Sequence, residues 1–298
     1  MPDLRISKRS AASQAASVMK SLQGGVIKSV GTVRNYEQGL TRVAQWLTDT
    51  RSVNHIKHLT PALAYQYLEQ RGQAVGQKTL DMERQAIQSM FVNVTGQLAK
   101  DETLTVIKSE QQQTLKSRAY TPIQANMIAN AQIQHNGLAT ALAYAAGLRA
   151  HELFTLAPQA DQPADQRPAL ATKWQGREGQ IYTVAGKGGL VREVLIPDEL
   201  AERLEATRRP EPITVTDRGV HYIQHYHVAG GKNWSNSFSA AAKRILNWSA
   251  GAHGLRHSYA QERMNELQSQ GLNRDLALET VSQEMGHFRP EITETYLR

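Results

Sequence analysis

Near its C-terminus the chain reads Met285-Gly286-His287-Phe288-Arg289-Pro290, and the glycine and proline constrain the local fold more than any other pair. Gly is favoured just past the last turn of a helix and Pro in the first turn of the next, so one helix should stop near Gly286 and another start near Pro290. Glu291 beside Pro290 suits the dipole of that second helix. The break matters because His287 and Tyr296 are nine residues apart. On one continuous helix nine residues turn through about 900°, which sends the two side chains to opposite faces. A bend between two short helices can instead bring both into one pocket. Upstream, His253 and Arg256 stand three apart in a segment with helical spacing, so both can point one way. Two histidines, an arginine and a phenol then converge, with no Asp or Cys close by for a hydrolase triad. That set suits a phosphodiester: Arg grips the non-bridging oxygens, His donates hydrogen bonds and the tyrosine oxygen attacks.

The 298 residues are enough for two domains and a well-buried core. With 40% apolar and 20% charged residues, a disordered chain is excluded. Lys plus Arg exceed Asp plus Glu by 34 to 27, a basic balance that invites nucleic acid. The absence of cysteine excludes disulfides, thiolate zinc sites and Cys nucleophiles. There is neither an apolar run of about 18 residues to span a bilayer nor a signal-peptide core, so a soluble, cytoplasmic protein is expected.

Residues 1–25 are polar and carry Arg5, Lys8, Arg9 and Lys20 against Asp3, which reads as a flexible basic arm. From Ser29 the pattern turns helical: Val33, Tyr36, Leu40, Val43 and Leu47 form one apolar stripe. Thr60-Pro61 is an N-cap followed by a first-turn proline. A third helix is expected over 77–98, with Lys78 and Arg84 among its polar positions. Residues 26–102 thus read as a helical bundle with nothing catalytic in it. The periodicity fails over 103–120, which reads as a linker. Thr121-Pro122-Ile123-Gln124 then opens a second domain, 121–298, with a capping box.

In that second domain Arg149 and Glu152 lie three apart within a strongly apolar segment, where the simplest reading is a structural ion pair. Residues 157–168 read as a loop. β-prone runs follow at 169–174, 180–185 and 190–196, the last two flanking Gly186-Lys187-Gly188-Gly189, a hairpin turn that lacks P-loop spacing. A short helix capped by Asp198 comes next. Residues 208–233 look irregular, and their His221, His225 and His227 have no supporting acid or Cys pattern, so no metal is expected. The last helix before the C-terminal boxes, 235–248, carries Lys243 and Arg244, a DNA-contacting face or an ordinary solvated one.

Taken together, these residues resemble the tyrosine recombinases, the phage-integrase family of site-specific DNA recombinases. The run from Tyr144 to Leu153 resembles the family's first arginine box, with Arg149 as its catalytic arginine and Glu152 as the supporting acid. Lys187 falls on the hairpin turn where the family places its catalytic lysine. His253-Gly-Leu-Arg256-His257 is similar to the His-x-x-Arg box, Met285-Gly286-His287 to the box that supplies a second His, and Tyr296 stands at the family's usual distance from it. The N-terminal helices, with Thr32-Val-Arg34-Asn-Tyr36 and Lys78-Thr-Leu80, are similar to the core-binding domain. The resemblance covers about 30–298. It implies a mainly α fold with a small β-sheet: a core-binding, SAM-like helical bundle and a mixed α+β catalytic domain. It implies Arg34, Lys78, Arg84, Lys243 and Arg244 as DNA contacts, double-stranded DNA with paired sites as substrate, a tetramer in the synaptic complex and a nucleoid-associated location. The family continues past its tyrosine into a segment that packs on a neighbouring protomer, whereas only Leu297 and Arg298 follow Tyr296 here, so the chain is expected either to be truncated or to make that contact otherwise.

The chemistry implied needs no metal or cofactor. Arg149 and Arg256 neutralise the scissile phosphate, each in a planar fork that Lys cannot reproduce. His287 adds a hydrogen bond, Tyr296 attacks phosphorus, His253 is the candidate base and Lys187 the candidate acid for the departing 5′-oxygen. A type IB topoisomerase-like relaxing enzyme shares this chemistry without exchanging partners, but the helical N-domain and compact size favour recombination. A catalytically idle DNA-binding protein on the same scaffold would be expected to lack a catalytic position, and all six are present.

Overall fold

The structure, a computed structural model, describes residues 9–112 and 116–298, with the side chain of Lys187 left out. It divides into two compact units, Met1–Thr114 and Leu115–Arg298. The basic residues Arg5 and Lys8 of the expected arm lie outside the described residues.

The first unit is all helical among its described residues. α1 (Ala11–Leu22), α2 (Val30–Asp49), α3 (Pro61–Gly72) and α4 (Gln77–Met90) enclose a core of Val18, Leu22, Leu40, Val43, Leu47, Leu68, Ile87 and Phe91. α1 corrects the reading of 1–25 as a flexible arm. Its Ala15, Val18, Met19 and Leu22 recur at helical spacing and are buried, and Gln14 ties it to the Ile56 amide at 2.8 Å. Thr60 caps α3 through the Leu63 amide, with Pro61 in the first turn. The third helix of the sequence reading ends early: α4 gives way to a π-helical turn, Phe91–Thr95, and Gly96 takes a left-handed φ of 66°.

One buried acid organises this bundle. Glu83 accepts from Tyr67 Oη at 2.8 Å, from Arg71 Nε at 3.0 Å and from Arg42 Nη1 at 3.2 Å, joining α2, α3 and α4. The expected linker is also corrected in its first half. Leu104 is buried in the first unit's core, its amide donates to Gln88 Oε1 at 2.6 Å, and the Ser109 amide donates to Gln77 Oε1 at 2.8 Å. Residues 104–110 are therefore a strap on the bundle.

The second unit begins its helices with α5 (Pro122–Asn130), opened by the Thr121–Gln124 capping box, and α6 (Gln134–Ala145). A three-stranded antiparallel sheet follows, β1 (Ala157–Pro158), β2 (Gln180–Ala185) and β3 (Val191–Ile196), in the order β1-β2-β3. The turn 187–189 joins β2 to β3. The β-prone run at 169–174 is not a strand. It forms turns pinned to the end of α10, where the Trp174 amide donates to Glu284 Oε1 at 3.1 Å. α7 (Asp198–Glu205) starts after Pro197, so Asp198 is its first residue rather than its cap.

Residues 208–226, expected to be irregular, form a second antiparallel pair: β4 (Arg208–Asp217) and β5 (Val220–Tyr226). Pro210, Pro212 and a register shift between Arg208 and Ile213 had hidden its alternation. α8 (Gly231–Leu246), α9 (Gly254–Ser269), α10 (Arg274–Glu284) and the single turn α11 (Pro290–Thr293) complete the unit. The main core gathers Leu138, Leu142, Leu153, Val184, Ile196, Trp234, Phe238 and Leu255, and a smaller one joins α9, α10 and Tyr296.

Candidate active site

The site is built on a buried carboxylate. Glu152 sits in a 3₁₀ turn after α6, fully buried. Its Oε1 accepts from Arg149 Nη1 at 2.6 Å, and its Oε2 accepts from the Arg149 amide at 2.8 Å and from Arg192 Nη2 at 2.9 Å. Arg256 Nη1 lies 3.9 Å from the same oxygen. Burial would raise this carboxyl, but Arg192, Arg256 and Arg149 together hold it far below the usual carboxylate range. One acid thus aligns three guanidiniums.

Arg256, in the first turn of α9, is also fully buried. Its Nη1 donates to the Gly147 carbonyl, and its Nη2 donates to Met285 O at 3.2 Å and to His287 Nε2 at 2.9 Å. Gly147 needs to be glycine: its φ is 59°, and a Cβ there would run into the Tyr259 ring. Burial and then Arg149 push Arg256 down to about 10, so it stays cationic at neutral pH.

His287 follows Gly286, whose φ of 71° ends α10 in the left-handed turn that the sequence leads one to expect. Arg256 can only donate, which fixes His287 Nε2 as an acceptor and assigns its proton to Nδ1, which donates to Thr293 Oγ1 at 2.9 Å. Burial and then Arg256 push this imidazole down to about 3. His253, the residue before α9, is likewise pushed down to about 3 by desolvation and then by Arg256, although one side of its ring reaches solvent.

The bend at Pro290 returns the chain so that the Tyr296 ring enters this cluster. It lies 5.1 Å from the His287 ring, 5.5 Å from His253, 4.8 Å from His257 and 5.5 Å from the Arg256 guanidinium. Gln261 Nε2 holds the Tyr296 carbonyl at 3.0 Å. The structure therefore brings together Arg149, Glu152, His253, Arg256, His287 and Tyr296. For Lys187 only the backbone is described, on the β2–β3 turn.

Two residues of the cluster were missed from sequence. Arg192 on β3 spans the site, donating to Glu152 Oε2 and, through Nη1, to Glu284 O at 2.8 Å at the end of α10. A side chain at Gly286 would collide with it. His257, which the His-x-x-Arg pattern leaves without a role, packs its ring 4.8 Å from that of Tyr296. Tyr259, nearby on α9, is structural: it is buried and donates to Glu284 Oε2 at 2.9 Å, a carboxylate also clamped by Arg263 Nε at 3.0 Å.

The proposed DNA contacts divide. Arg34, Lys78 and Lys243 are exposed. Arg244 is exposed but spends Nη2 on the Ala131 carbonyl at 2.7 Å. Arg84 is turned inward, donating to Leu104 O at 2.9 Å with its Nε buried, because the strap over 104–110 covers it. The three histidines of 208–233 diverge: His221 faces Thr216, His225 lies 3.7 Å from Asp161, and His227 stacks on His135.

No protein-family model and no curated protein matches the sequence. Solved structures do. Over 97% of this chain and 81% of the other, the fold matches XerH site-specific recombinase bound to difH substrate in a pre-cleavage complex, with a TM-score of 0.57 at 15% identity. The Tn1549 transposon integrase in complex with circular intermediate DNA matches over 97% of this chain and 95% of that one, with a TM-score of 0.54 at 15% identity. A lambda integrase tetramer bound to a Holliday junction matches over 98% and 78%, with a TM-score of 0.56 at 15% identity.

The fold is that of the tyrosine recombinases.

Within the tyrosine recombinase fold, the small sheet, α6 and the C-terminal helices are the parts that carry the cluster. The mainly α fold with a small β-sheet is as expected, and β4 and β5 pair apart from β1–β3 as a second small sheet. No helix among the described residues is long and apolar enough to cross a membrane.

Proposed function

We propose that the chain is a site-specific DNA strand transferase that cleaves and rejoins duplex DNA through a 3′-phosphotyrosyl link. The observation that carries this reading is the Tyr296 ring enclosed by three imidazoles and the Arg256 guanidinium, beside the Arg149–Glu152 pair. Cations held rigidly where charge grows on the equatorial oxygens are what phosphoryl transfer demands. Glu152 serves this by fixing guanidiniums before substrate arrives.

In the reaction proposed, the Tyr296 oxygen attacks phosphorus and its proton passes to His253. The P–O5′ bond breaks, and Lys187 gives the departing oxygen its proton. A 5′-hydroxyl from a second strand reverses these steps, so the bond energy is kept in the phosphotyrosine. The depressed histidines fit this order of events. Unliganded, burial and then the positive field of Arg256, with Arg149 adding to it, keep both imidazoles neutral. An arriving phosphodiester cancels part of that positive field, which raises His253 as a base and allows His287 to carry a second proton toward the phosphate.

The fold neighbours are bound to DNA, one as a tetramer on a Holliday junction, which supports a reading in which four copies act on paired sites. Arg34, Lys78 and Lys243 are the proposed phosphate contacts, and association with the nucleoid would follow from them. The test is to incubate the chain with a library of nicked duplexes of randomised sequence, whose short strand diffuses away after cleavage. Covalent protein–DNA bands on a denaturing gel are expected; their absence across the library would overturn the reading.

A further inference from the structure

The β4–β5 hairpin docks one face on the site and leaves the other bare. The register pairs Val215 with Tyr222 on one side and Thr214 with Ile223 and Thr216 with His221 on the opposite side. On the inner side, the Tyr222 ring lies 5.6 Å from Phe154 and 6.2 Å from His151, so the hairpin rests on the turn that carries Arg149 and Glu152. Its tip is fixed as well. Asp217 Oδ1 accepts from the Lys232 amide at 3.2 Å, at the start of α8, and Asp217 Oδ2 accepts from Arg218 Nε at 3.0 Å. Arg218 adopts a left-handed φ of 52° and is 55% exposed. Burial lowers the His151 imidazole, and Arg149 and Arg218 add to that lowering, which puts both cations in one field.

We propose that this hairpin is a DNA-reading element, with Arg218 on a backbone phosphate next to the scissile one and the Thr214, Thr216, His221 and Ile223 face laid into the adjoining groove. The proposal rests on the strand-transferase reading above. The shape is suitable, because a two-stranded β-ribbon fits the major groove. So is the chemistry. Thr216 Oγ1 and His221 Nδ1 lie 2.8 Å apart, an arrangement that leaves a ring nitrogen to face a base edge. Ile223, 54% exposed, offers the apolar contact that a thymine methyl takes. No acid lies on this face near the tip: Asp217 is occupied by Lys232 and Arg218, and Glu211 stands toward the root of β4. Lys232 and Asn233, exposed at the start of α8, extend the polar surface beside the tip. A ribbon anchored on the catalytic turn would tie the reading of flanking bases directly to the placing of Arg149.

The test compares the full chain with Arg218→Ala and with the double variant Thr216→Ala/His221→Ala on a duplex recovered as covalent complex by the wild type. Arg218→Ala should weaken binding to all duplexes alike and reduce the slope of log K against log salt by about 0.9, the value for one phosphate. The double variant should lose on the order of tenfold in affinity for the recovered duplex and relax its base preference on one side of the cleavage point, within the range of one or two base contacts. Photo-crosslinking of the wild type to 4-thiothymidine duplex should yield peptides from 208–226, a readout independent of how the variants fold. Unchanged affinity, slope and preference, or crosslinks that avoid the hairpin, would overturn the proposal. So would variants that lose self-association while binding DNA normally, since the face would then belong to a protein partner. Failure of the parent reading shows separately, as no covalent complex from the wild type.

Discussion

Replacing Arg192 with methionine separates the support of the site from its chemistry. The thioether chain fills much of the volume but removes the donors to Glu152 Oε2 at 2.9 Å and to Glu284 O at 2.8 Å. Removing one partner of a buried ion pair costs about 3–5 kcal/mol. Glu152 keeps Arg149 at 2.6 Å, which places the loss at the low end of that range. The orphaned Glu284 carbonyl adds about 1 kcal/mol. A total of roughly 4 kcal/mol corresponds to a melting point about 8–16 °C lower for a unit of this size. Three of the four tryptophans, Trp174, Trp234 and Trp248, lie in the second unit, so urea unfolding followed by Trp fluorescence reports mainly on it. Covalent-complex formation should fall as well, because Glu152 then holds Arg149 and Arg256 less firmly. Combining Arg192→Met with Glu152→Gln should cost less than the two single losses summed, by about 1–3 kcal/mol, as for partners in one network. A single-variant loss below about 1 kcal/mol, or simple additivity in the double, would refute the reasoning.

Other outcomes follow from the same geometry. Lys187→Ala should slow cleavage by about 10²–10⁴-fold, the usual worth of acid–base catalysis, and recover on a substrate whose bridging 5′-oxygen is sulfur, whereas Arg149→Ala should not recover; equal defects on both substrates would assign Lys187 to binding. Acidification should destabilise the second unit: the unfolded chain takes up a proton on His287 below about 6.5, while the folded one waits until about 3, so this stability is complete above 6.5 and declines between the two values. At pH 5 the His287 share is about 2 kcal/mol, and in urea titrations His287→Gln should shrink the difference between pH 7 and pH 5; an unchanged difference would contradict the assignment. Glu152 acts in the same direction at lower pH, since its depressed carboxyl loses its contribution only as pH falls below the ordinary carboxylate range. Arg84→Ala should cost about 1 kcal/mol through the strap it holds and leave the salt slope of DNA binding unchanged; a flatter slope would return Arg84 to the DNA face.

The C-terminal cluster was legible because its signals are local. Gly286 and Pro290 announce a bend, and the three-residue spacing of His253 and Arg256 needs only a helix to become a pair. Arg192 was not legible. On β3 it stands next to Glu193, and a charged pair between β-prone residues normally means solvent; only Glu152 from a distant turn makes burial tolerable. α1 was hidden for a different reason: its apolar residues do recur at helical spacing, but four of the seven are alanines, interleaved with three serines, a glutamine and a lysine, so the stripe reads weakly. The β4–β5 hairpin was concealed by its prolines and by having one bare face. Arg84 looked like a surface cation because the strap that buries it follows twenty residues later.

The central claim is that Tyr296 is the nucleophile, and its most direct measurement is the site of attachment. Covalent complex formed on a nicked duplex, digested with protease and nuclease, should yield one modified peptide from the C-terminus, carrying a nucleotide on Tyr296 through its 3′-phosphate. Tyr296→Phe should yield none while binding DNA nearly as well, since only a hydroxyl is lost. A nucleotide on any other residue, a link through a 5′-phosphate, or adduct persisting in Tyr296→Phe would contradict the account.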